Sequence, residues 1–290
     1  MTNYRKIVKA GVIGNPISHS ISPTIHNFYL EKNNIAGSYK KYQIDIDNYH
    51  EEIINLIANE GLSGFNITIP FKEKIINICD HLSSSARDIG AVNTIKILDN
   101  GKIFGHNSDA FGFLNNLLRS CPTYNFNKTT NLIIGAGGAS RAILYAIINE
   151  KPKHIFIANR SYENAKKLID DFKNLANRNN VILEYIDFKD INSIYPKLDL
   201  MVNTSSMGMK NQEPLNIDLS NINQNCIIYD IVYNPLFTNL ILQAKKHNLK
   251  FVTGIGMLIY QALIGFELWF GKQPEYDQDL ENLLIKNLSL

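Results

Sequence analysis

The sequence predicts an α/β protein of two parts. An N-terminal α/β substrate domain is followed by a Rossmann-type, doubly wound parallel sheet that binds a dinucleotide, and C-terminal helices return to the first domain. Three observations carry this. Residues 132–134 form an apolar run that ends in Gly135-Ala136-Gly137-Gly138-Ala139-Ser140-Arg141 and opens into an apolar-periodic segment over 142–148. Strand, glycine turn and helix start in that order let the backbone approach a pyrophosphate, while the helix N-terminus supplies unpaired N–H groups. Strand-like and helix-like segments alternate along the chain, the pattern of parallel sheets with helical cover. The length, 290 residues, leaves room for about two domains. The boundaries fall at 1–108, with 255–290 returning to it, and 109–254.

Composition narrows the function classes. Hydrophobic residues make up 45% of the chain, ordinary for a globular protein, and the net charge of +2 argues against nucleic acid or an anionic membrane as partner. Cys79, Cys121 and Cys226 are odd in number and lack metal-ligand spacing, so they read as reduced thiols of a cytoplasmic protein that needs no metal. Met1 to Lys6 lead into a run broken by Lys9 and Gly14, which is not a signal peptide. The most apolar window, 255–270, contains Gln261 and Glu267 and is short for a membrane span, so it reads as a buried helix.

Each element follows in order. Residues 7–13 are a buried strand ending at Gly14, and the next loop carries Ser18, His19, Ser20 and Ser22. Ser22 before Pro23 predicts an N-cap and a helix over 23–32. Hydroxyls at a strand's carboxyl end suit a small carboxylate or phosphate, and plain capping explains them equally well. A strand over 39–44 and a helix over 48–59 precede a polar–apolar alternation at 63–69, a third strand. Asn66 and Thr68 share a face at period two. Pro70-Phe71-Lys72 ends that strand and begins a helix, leaving Lys72 either at the strand's carboxyl end with those two residues or simply solvated. Residues 91–98 are a fourth strand, Asn100-Gly101 a hairpin turn, and 103–105 the return. Asp109 then stands before a helix over 110–118, as its N-cap or as a site carboxylate.

Beyond the glycine turn, the strand at 154–158 ends in Asn159-Arg160-Ser161 with no acid. An acid there binds a ribose 2′-hydroxyl, whereas a guanidinium favours a 2′-phosphate, so NADP(H) is the expected cofactor unless Arg160 is only a surface residue. Further strands are expected at 182–186, 198–203, 227–231 and 250–253, with helices between, then a helix bearing Gln261 and a last one over 279–287. The loops from Asn203 to Gly208 and from Asp230 to Pro235 fall on the cofactor side.

Taken together, Gly14-Asn15-Pro16-Ile17-Ser18-His19-Ser20-Ile21-Ser22-Pro23, Asn66-Ile67-Thr68-Ile69-Pro70-Phe71-Lys72, Gly90-Ala91-Val92-Asn93-Thr94, Asn107-Ser108-Asp109, the glycine turn, Asn159-Arg160-Ser161 and Gly256-Met257-Leu258-Ile259-Tyr260-Gln261 resemble the motif series of the shikimate dehydrogenase family. The resemblance covers nearly the whole chain. It implies reversible, NADPH-dependent reduction of 3-dehydroshikimate to shikimate by a monomer or homodimer. By the same resemblance Lys72 and Asp109 are the catalytic pair, and Ser20 and Ser22 hold the substrate carboxylate with Tyr233 nearby. Asn66, Thr68, Asn93, Asp109 and Gln261 bind its hydroxyls. Gly135, Ala136, Gly137, Gly138, Ala139 and Ser140 take the pyrophosphate, Asn159, Arg160 and Ser161 the adenosine phosphate, and Gly254 and Met257 lie near the nicotinamide. Two departures stand out: Asn164 where many relatives place a second arginine, and Ser108 where Thr is common. The rival readings are a quinate/shikimate dehydrogenase of broader substrate and cofactor range, a nucleotide-sensing regulator without turnover, and another two-domain NADP enzyme such as a folate dehydrogenase.

Overall fold

The computed structural model describes residues 7–288, so the reading of Met1 to Lys6 lies outside the described residues. The chain divides into two compact units. One holds the described residues through Asp109 together with Leu258–Leu280, and the other holds Ala110–Met257 and the described residues from Glu281.

In the first unit, β1 (Val8–Gly14), α1 (Ser22–Lys32), β2 (Gly37–Gln43), α2 (Tyr49–Glu60) and β3 (Gly64–Ile67) build two parallel crossovers. A 3-10 segment (Lys74–Ile78), β4 (His81–Leu82), α3 (Ser84–Ile89), β5 (Thr94–Ile97) and β6 (Ile103–His106) complete a mixed sheet of order β2-β1-β3-β5-β6-β4. β5 runs antiparallel to both β3 and β6, and Gly101 (φ +79°) makes the tight turn between them. That reversal determines where chemistry can sit. The carboxyl ends of β1, β3 and β6 and the amino end of β5 all meet at one edge, and the parallel crossovers diverge between β1 and β3, where such sheets open a crevice.

Several expectations need correction here. α1 begins with Ser22 itself and its N-cap, Ile21, makes no side-chain cap bond, so the Ser22 hydroxyl is not spent on the helix. β3 stops at Ile67 with all four residues buried, because strands flank it on both sides and the Phe65 and Ile67 side chains lie in the core. The polar–apolar alternation read at 63–69 thus marks a strand, but not one with a wet face. The helix expected from Pro70 is only the 3-10 turn, while β4 and α3, capped by Ser83 accepting from the Ala86 N–H, were not foreseen.

The second unit runs through α4 (Asp109–Ser120), β7 (Thr130–Ile134), α5 (Gly138–Asn149), β8 (His154–Ala158), α6 (Tyr162–Arg178) and β9 (Ile182–Tyr185). A 3-10 connector (Phe188–Lys197), β10 (Leu200–Asn203), β11 (Ile227–Asp230), α7 (Asn239–Lys246) and β12 (Phe251–Val252) follow. Its sheet is wholly parallel, in the order β12-β11-β10-β7-β8-β9. Both faces are covered: Ile133, Ile143 and Val202 pack in one cluster and Leu132, Ile134 and Met201 in the other, hence the continuous apolar strands. Between β9 and β10 the expected helix is the 3-10 connector, which contains Pro196. The strand order reverses between β7 and β10, the place where dinucleotides bind such folds.

α8 (Gly254–Phe270) and α9 (Gln278–Leu288) finish the chain. The division falls within α8 at Met257/Leu258 and within α9 at Leu280/Glu281, so the last residues group with the second unit and not, as 255–290 was read, with the first. Within the first unit, the Trp269 indole of α8 donates to Ile95 O at 2.7 Å and presses on Gly64, where a Cβ would come within 2.2 Å of Trp269 Nε1. No side chain but hydrogen fits there. Among the described residues no helix is long and apolar enough to cross a membrane, and none form a cluster of three metal-ligating side chains.

Candidate active site

At the shared edge of the first sheet, β6 delivers Asn107-Ser108-Asp109 and the loop after β3 delivers Lys72. The Lys72 ammonium lies 2.5 Å from Asp109 Oδ2, with side-chain exposures of 17% and 6%. Asn93, immediately before β5, donates from Nδ2 to Asp109 Oδ1 at 2.8 Å, so each carboxylate oxygen has its own donor. Asn93 Oδ1 in turn accepts from Ser108 N at 2.8 Å and Thr94 Oγ1 at 2.9 Å. Asp109 is therefore not merely a helix cap. It is a nearly buried carboxylate with two fixed donors, holding a cation that keeps some access to solvent. Gln261 joins loosely, its Oε1 at 3.4 Å from Asn93 Nδ2 and 3.5 Å from Ser108 Oγ.

Asn66 enters through the register. It pairs with Thr94 across β3–β5, and its Nδ2 donates to Asn93 O at 3.1 Å and Thr94 Oγ1 at 3.2 Å. Its Oδ1 accepts from the Tyr39 hydroxyl of β2 at 2.6 Å. Both amide hydrogens are thus committed, and a bound molecule can use only the remaining lone pair on Oδ1. Toward any further partner Asn66 can therefore accept but not donate. Behind Tyr39 stands His26, stacked on it at 4.0 Å and fully buried, with neither ring nitrogen hydrogen-bonded. Burial pushes its pKa down to about 3, against a smaller opposite pull from Asn66.

Beside this cluster, Ser20 Oγ donates to Ser22 Oγ at 3.2 Å and accepts from Ser22 N at 3.3 Å. Ser22 thereby keeps its own hydrogen. Lys41 donates to Ser18 O at 2.5 Å, and Asn15 N to Ile69 O at 3.0 Å, which ties the serine loop to β2 and to the loop after β3. Thr68 is half-buried just past β3, its methyl where a Cβ on Gly14 would meet it at 2.4 Å.

In the second unit, Gly135 has φ +119°, and a Cβ there would lie 2.6 Å from Thr204 Oγ1, so only glycine suits this turn. Gly137 faces open space, with nothing within 4 Å of a Cβ. The N–H groups of Gly138, Ala139 and Ser140 form the first turn of α5, which a helix cannot satisfy from within. Glycine access and unpaired donors fit a pyrophosphate. Ser140 Oγ accepts from Gly137 N at 3.1 Å and meets Thr204 Oγ1 at 2.7 Å, a clasp across the point where the strand order reverses. Asp230, at the end of β11, is buried and accepts from Asn203 Nδ2, Val232 N and Thr238 Oγ1, the last at 2.6 Å. Burial outweighs those bonds and pushes its pKa up to about 6.

After β8, Asn159 donates to Ser161 O at 2.9 Å and Arg160 is exposed. Ser161 caps α6, accepting from Asn164 N at 3.2 Å and donating to Glu163 Oε2 at 3.0 Å. Tyr233 lies half-buried in the loop after β11, where burial raises its phenol pKa. Gly254 and Met257 open α8; a Cβ on Gly254 would come within 2.1 Å of Ile231 O.

Sequence reasoning assigned no role to Tyr39, Thr204 or Asp230. An aromatic between Gly37 and two lysines in β2, and an acid ending an apolar strand, were the available signals. Each acts on a partner from another element: Tyr39 on Asn66, Thr204 on Ser140, Asp230 on Asn203.

Three protein-family models match the chain. They are the shikimate dehydrogenase substrate binding domain over residues 12–95, shikimate / quinate 5-dehydrogenase over 118–231, and the shikimate 5'-dehydrogenase C-terminal domain over 254–284. A shikimate dehydrogenase (NADP(+)) of Paramagnetospirillum magneticum is 37% identical over 276 residues, 95% of this chain and 97% of its own. A crystal structure of a shikimate dehydrogenase in complex with NADP+ superposes with a TM-score of 0.86 at 32% identity, covering 98% of this chain and 96% of its own. The quinate dehydrogenase of Corynebacterium glutamicum in complex with NAD gives 0.84 at 26%, covering 98% and 99%.

Proposed function

Since the chain belongs to the shikimate dehydrogenase family, we propose that it catalyses the reversible, NADPH-dependent reduction of 3-dehydroshikimate to shikimate, with Lys72 and Asp109 as its catalytic pair. The observation that carries the assignment of chemistry is the 2.5 Å contact of Lys72 Nζ with Asp109 Oδ2, whose second oxygen is held by Asn93. When bound, NADPH supplies the hydride. Reduction of a ketone leaves an alkoxide, and the Lys72 ammonium donates the proton that neutralises it; general acid help of this kind contributes roughly 10²–10⁴-fold. In the reverse direction the same nitrogen takes the proton back. Asp109 holds the ammonium in place. The Ser22 hydrogen, left free by Ser20, donates to the substrate carboxylate, while Asn66 Oδ1 accepts from a substrate hydroxyl. Thr68 and Gln261 supply further polar contacts. The first unit binds the substrate and the second the dinucleotide, the pyrophosphate resting on residues 135–140 and the adenosine phosphate on Asn159, Arg160 and Ser161. We extend the reading to a cytoplasmic location, supported by three unpaired thiols, and to a monomer or homodimer.

Shikimate is favoured over quinate as substrate because the 37% and 32% identical relatives are shikimate dehydrogenases, against 26% for the quinate enzyme. The test is absorbance at the nicotinamide band with shikimate or quinate and NADP or NAD. Rapid NADP reduction with shikimate alone is expected. Equal turnover of quinate would replace this reading with the broader dehydrogenase, and no reduction with any pair would remove the enzymatic reading altogether.

A further inference from the structure

We propose that Glu163 is a specificity-determining residue of the dinucleotide site, one that opposes a 2′-phosphate and so narrows the chain's preference for NADP over NAD. The proposal rests on the NADP reading above. A 2′-phosphate is read at the end of the second strand of such a sheet, here the turn after β8. What that turn offers an anion is limited. Arg160 brings one exposed guanidinium with no ion pair among the described residues, and Asn164 brings no charge. Ser161 has a single hydroxyl hydrogen, and it is committed to Glu163 Oε2 at 3.0 Å.

Glu163 lies in the first turn of α6, where the helix dipole and unpaired N–H groups would otherwise serve the phosphate. Its carboxylate bonds to its own backbone N–H and to Ser161, and these bonds hold its pKa below the usual glutamate value. The protein's own anion therefore occupies the Ser161 hydroxyl that a second anion would need, and it adds a negative charge to the turn that carries Arg160. The pyrophosphate turn is unlike this. Residues 135–140 carry no acid, so binding of the shared part of both dinucleotides is untouched by Glu163.

Two variants separate charge from hydrogen bonding. Glu163→Gln removes the charge but leaves an oxygen for Ser161; Glu163→Ala also frees the hydroxyl. Glu163 and Arg160 are both exposed on the surface, where one charge changes affinity by about two- to fivefold. The full-length protein is titrated calorimetrically with NADP, NAD, 2′-AMP and 5′-AMP at about 0.02 M and about 0.5 M salt, a range over which surface charges become screened. The expected result is tighter NADP and 2′-AMP binding by Glu163→Gln, by about two- to fivefold at low salt, and at least as much by Glu163→Ala. NAD and 5′-AMP stay as in the parent, and the gain shrinks at high salt. NADP affinity unchanged or weakened in both variants overturns the proposal, as does equal tightening of NAD. A parent that binds no NADP overturns the cofactor reading itself, and this proposal with it.

Discussion

Replacing Tyr39 by Phe removes one oxygen and keeps the ring that stacks on His26 at 4.0 Å and lies 5.8 Å from Trp269. What is lost is the 2.6 Å bond to Asn66 Oδ1. The amide does not flip in response, because a flip would set its oxygen against Asn93 O, which now accepts from Nδ2. The loss is therefore one neutral buried hydrogen bond, about 0.5–1.5 kcal/mol, plus looser aim of the lone pair proposed to accept from substrate. Spent on substrate binding, that amount is about two- to tenfold. Tyr39→Phe is expected to raise KM for shikimate by about that factor, with kcat nearly unchanged and the NADP dissociation constant as in the parent. Steady-state kinetics supply the first two quantities and calorimetry the third. The decisive comparison is a cycle with Asn66→Ala: if Tyr39 acts through Asn66, Tyr39→Phe adds nothing in the Asn66→Ala background. An equal KM increase in both backgrounds would refute the reasoning.

Other outcomes follow from the same geometry. Lys72→Ala should lower turnover at least about a hundredfold while leaving NADP affinity nearly unchanged; near-normal turnover would remove Lys72 from the chemistry. His26→Phe should stabilise the protein by about 1–3 kcal/mol, since it deletes two buried nitrogens that lack partners. The parent should also lose stability as pH falls from about 6.5 toward 3, at up to about 1.4 kcal/mol per pH unit, because only the unfolded histidine takes up a proton there. Denaturant titrations at neutral and mildly acidic pH check both, and parallel acid limbs in parent and variant would contradict this. Asp230 has the opposite sign. Its folded pKa of about 6 lies above the unfolded value, so its contribution falls as pH rises from about 4 to 6 and is level above. Asp230→Asn should gain on the parent across that window, by roughly 3 kcal/mol at most; a pH-independent difference would show that the carboxyl does not titrate there.

The glycine turn and the loops bearing Lys72 and Asp109 were legible because each announces itself locally. Glycines after an apolar run, or a polar cluster at a strand's end, need no knowledge of distant partners. Tyr39, Thr204 and Asp230 are different, since each gains its meaning from a residue 27 or 64 positions away that only strand order and register bring near. The same cause explains the misplaced details. Complete burial of β3 depends on β1 and β5 flanking it, and the free Ser22 hydroxyl depends on a helix that begins one residue earlier than proline placement alone indicates. Glu163 reads in sequence as an ordinary acid in a helix's first turn; its bond to Ser161, on which the proposed effect on a phosphate rests, is seen only in the structure.

The path of α8 bears on how the chain is made. The second unit is nearly continuous, Ala110–Met257, whereas the first is closed by Leu258–Leu280, which brings Trp269 onto Gly64 and Tyr39 and brings Gln261 beside Asn93. During synthesis the residues emerging first thus cannot finish their core until Leu258–Leu280 have been added, and the later-made unit has its long continuous part, Ala110–Met257, before the earlier one is closed. That inverts the usual amino-to-carboxyl order of domain folding. It leaves the apolar surface around Tyr39 and Gly64 waiting, on a nascent chain, for a tryptophan some two hundred residues downstream, the kind of long-range closure that is slow to form.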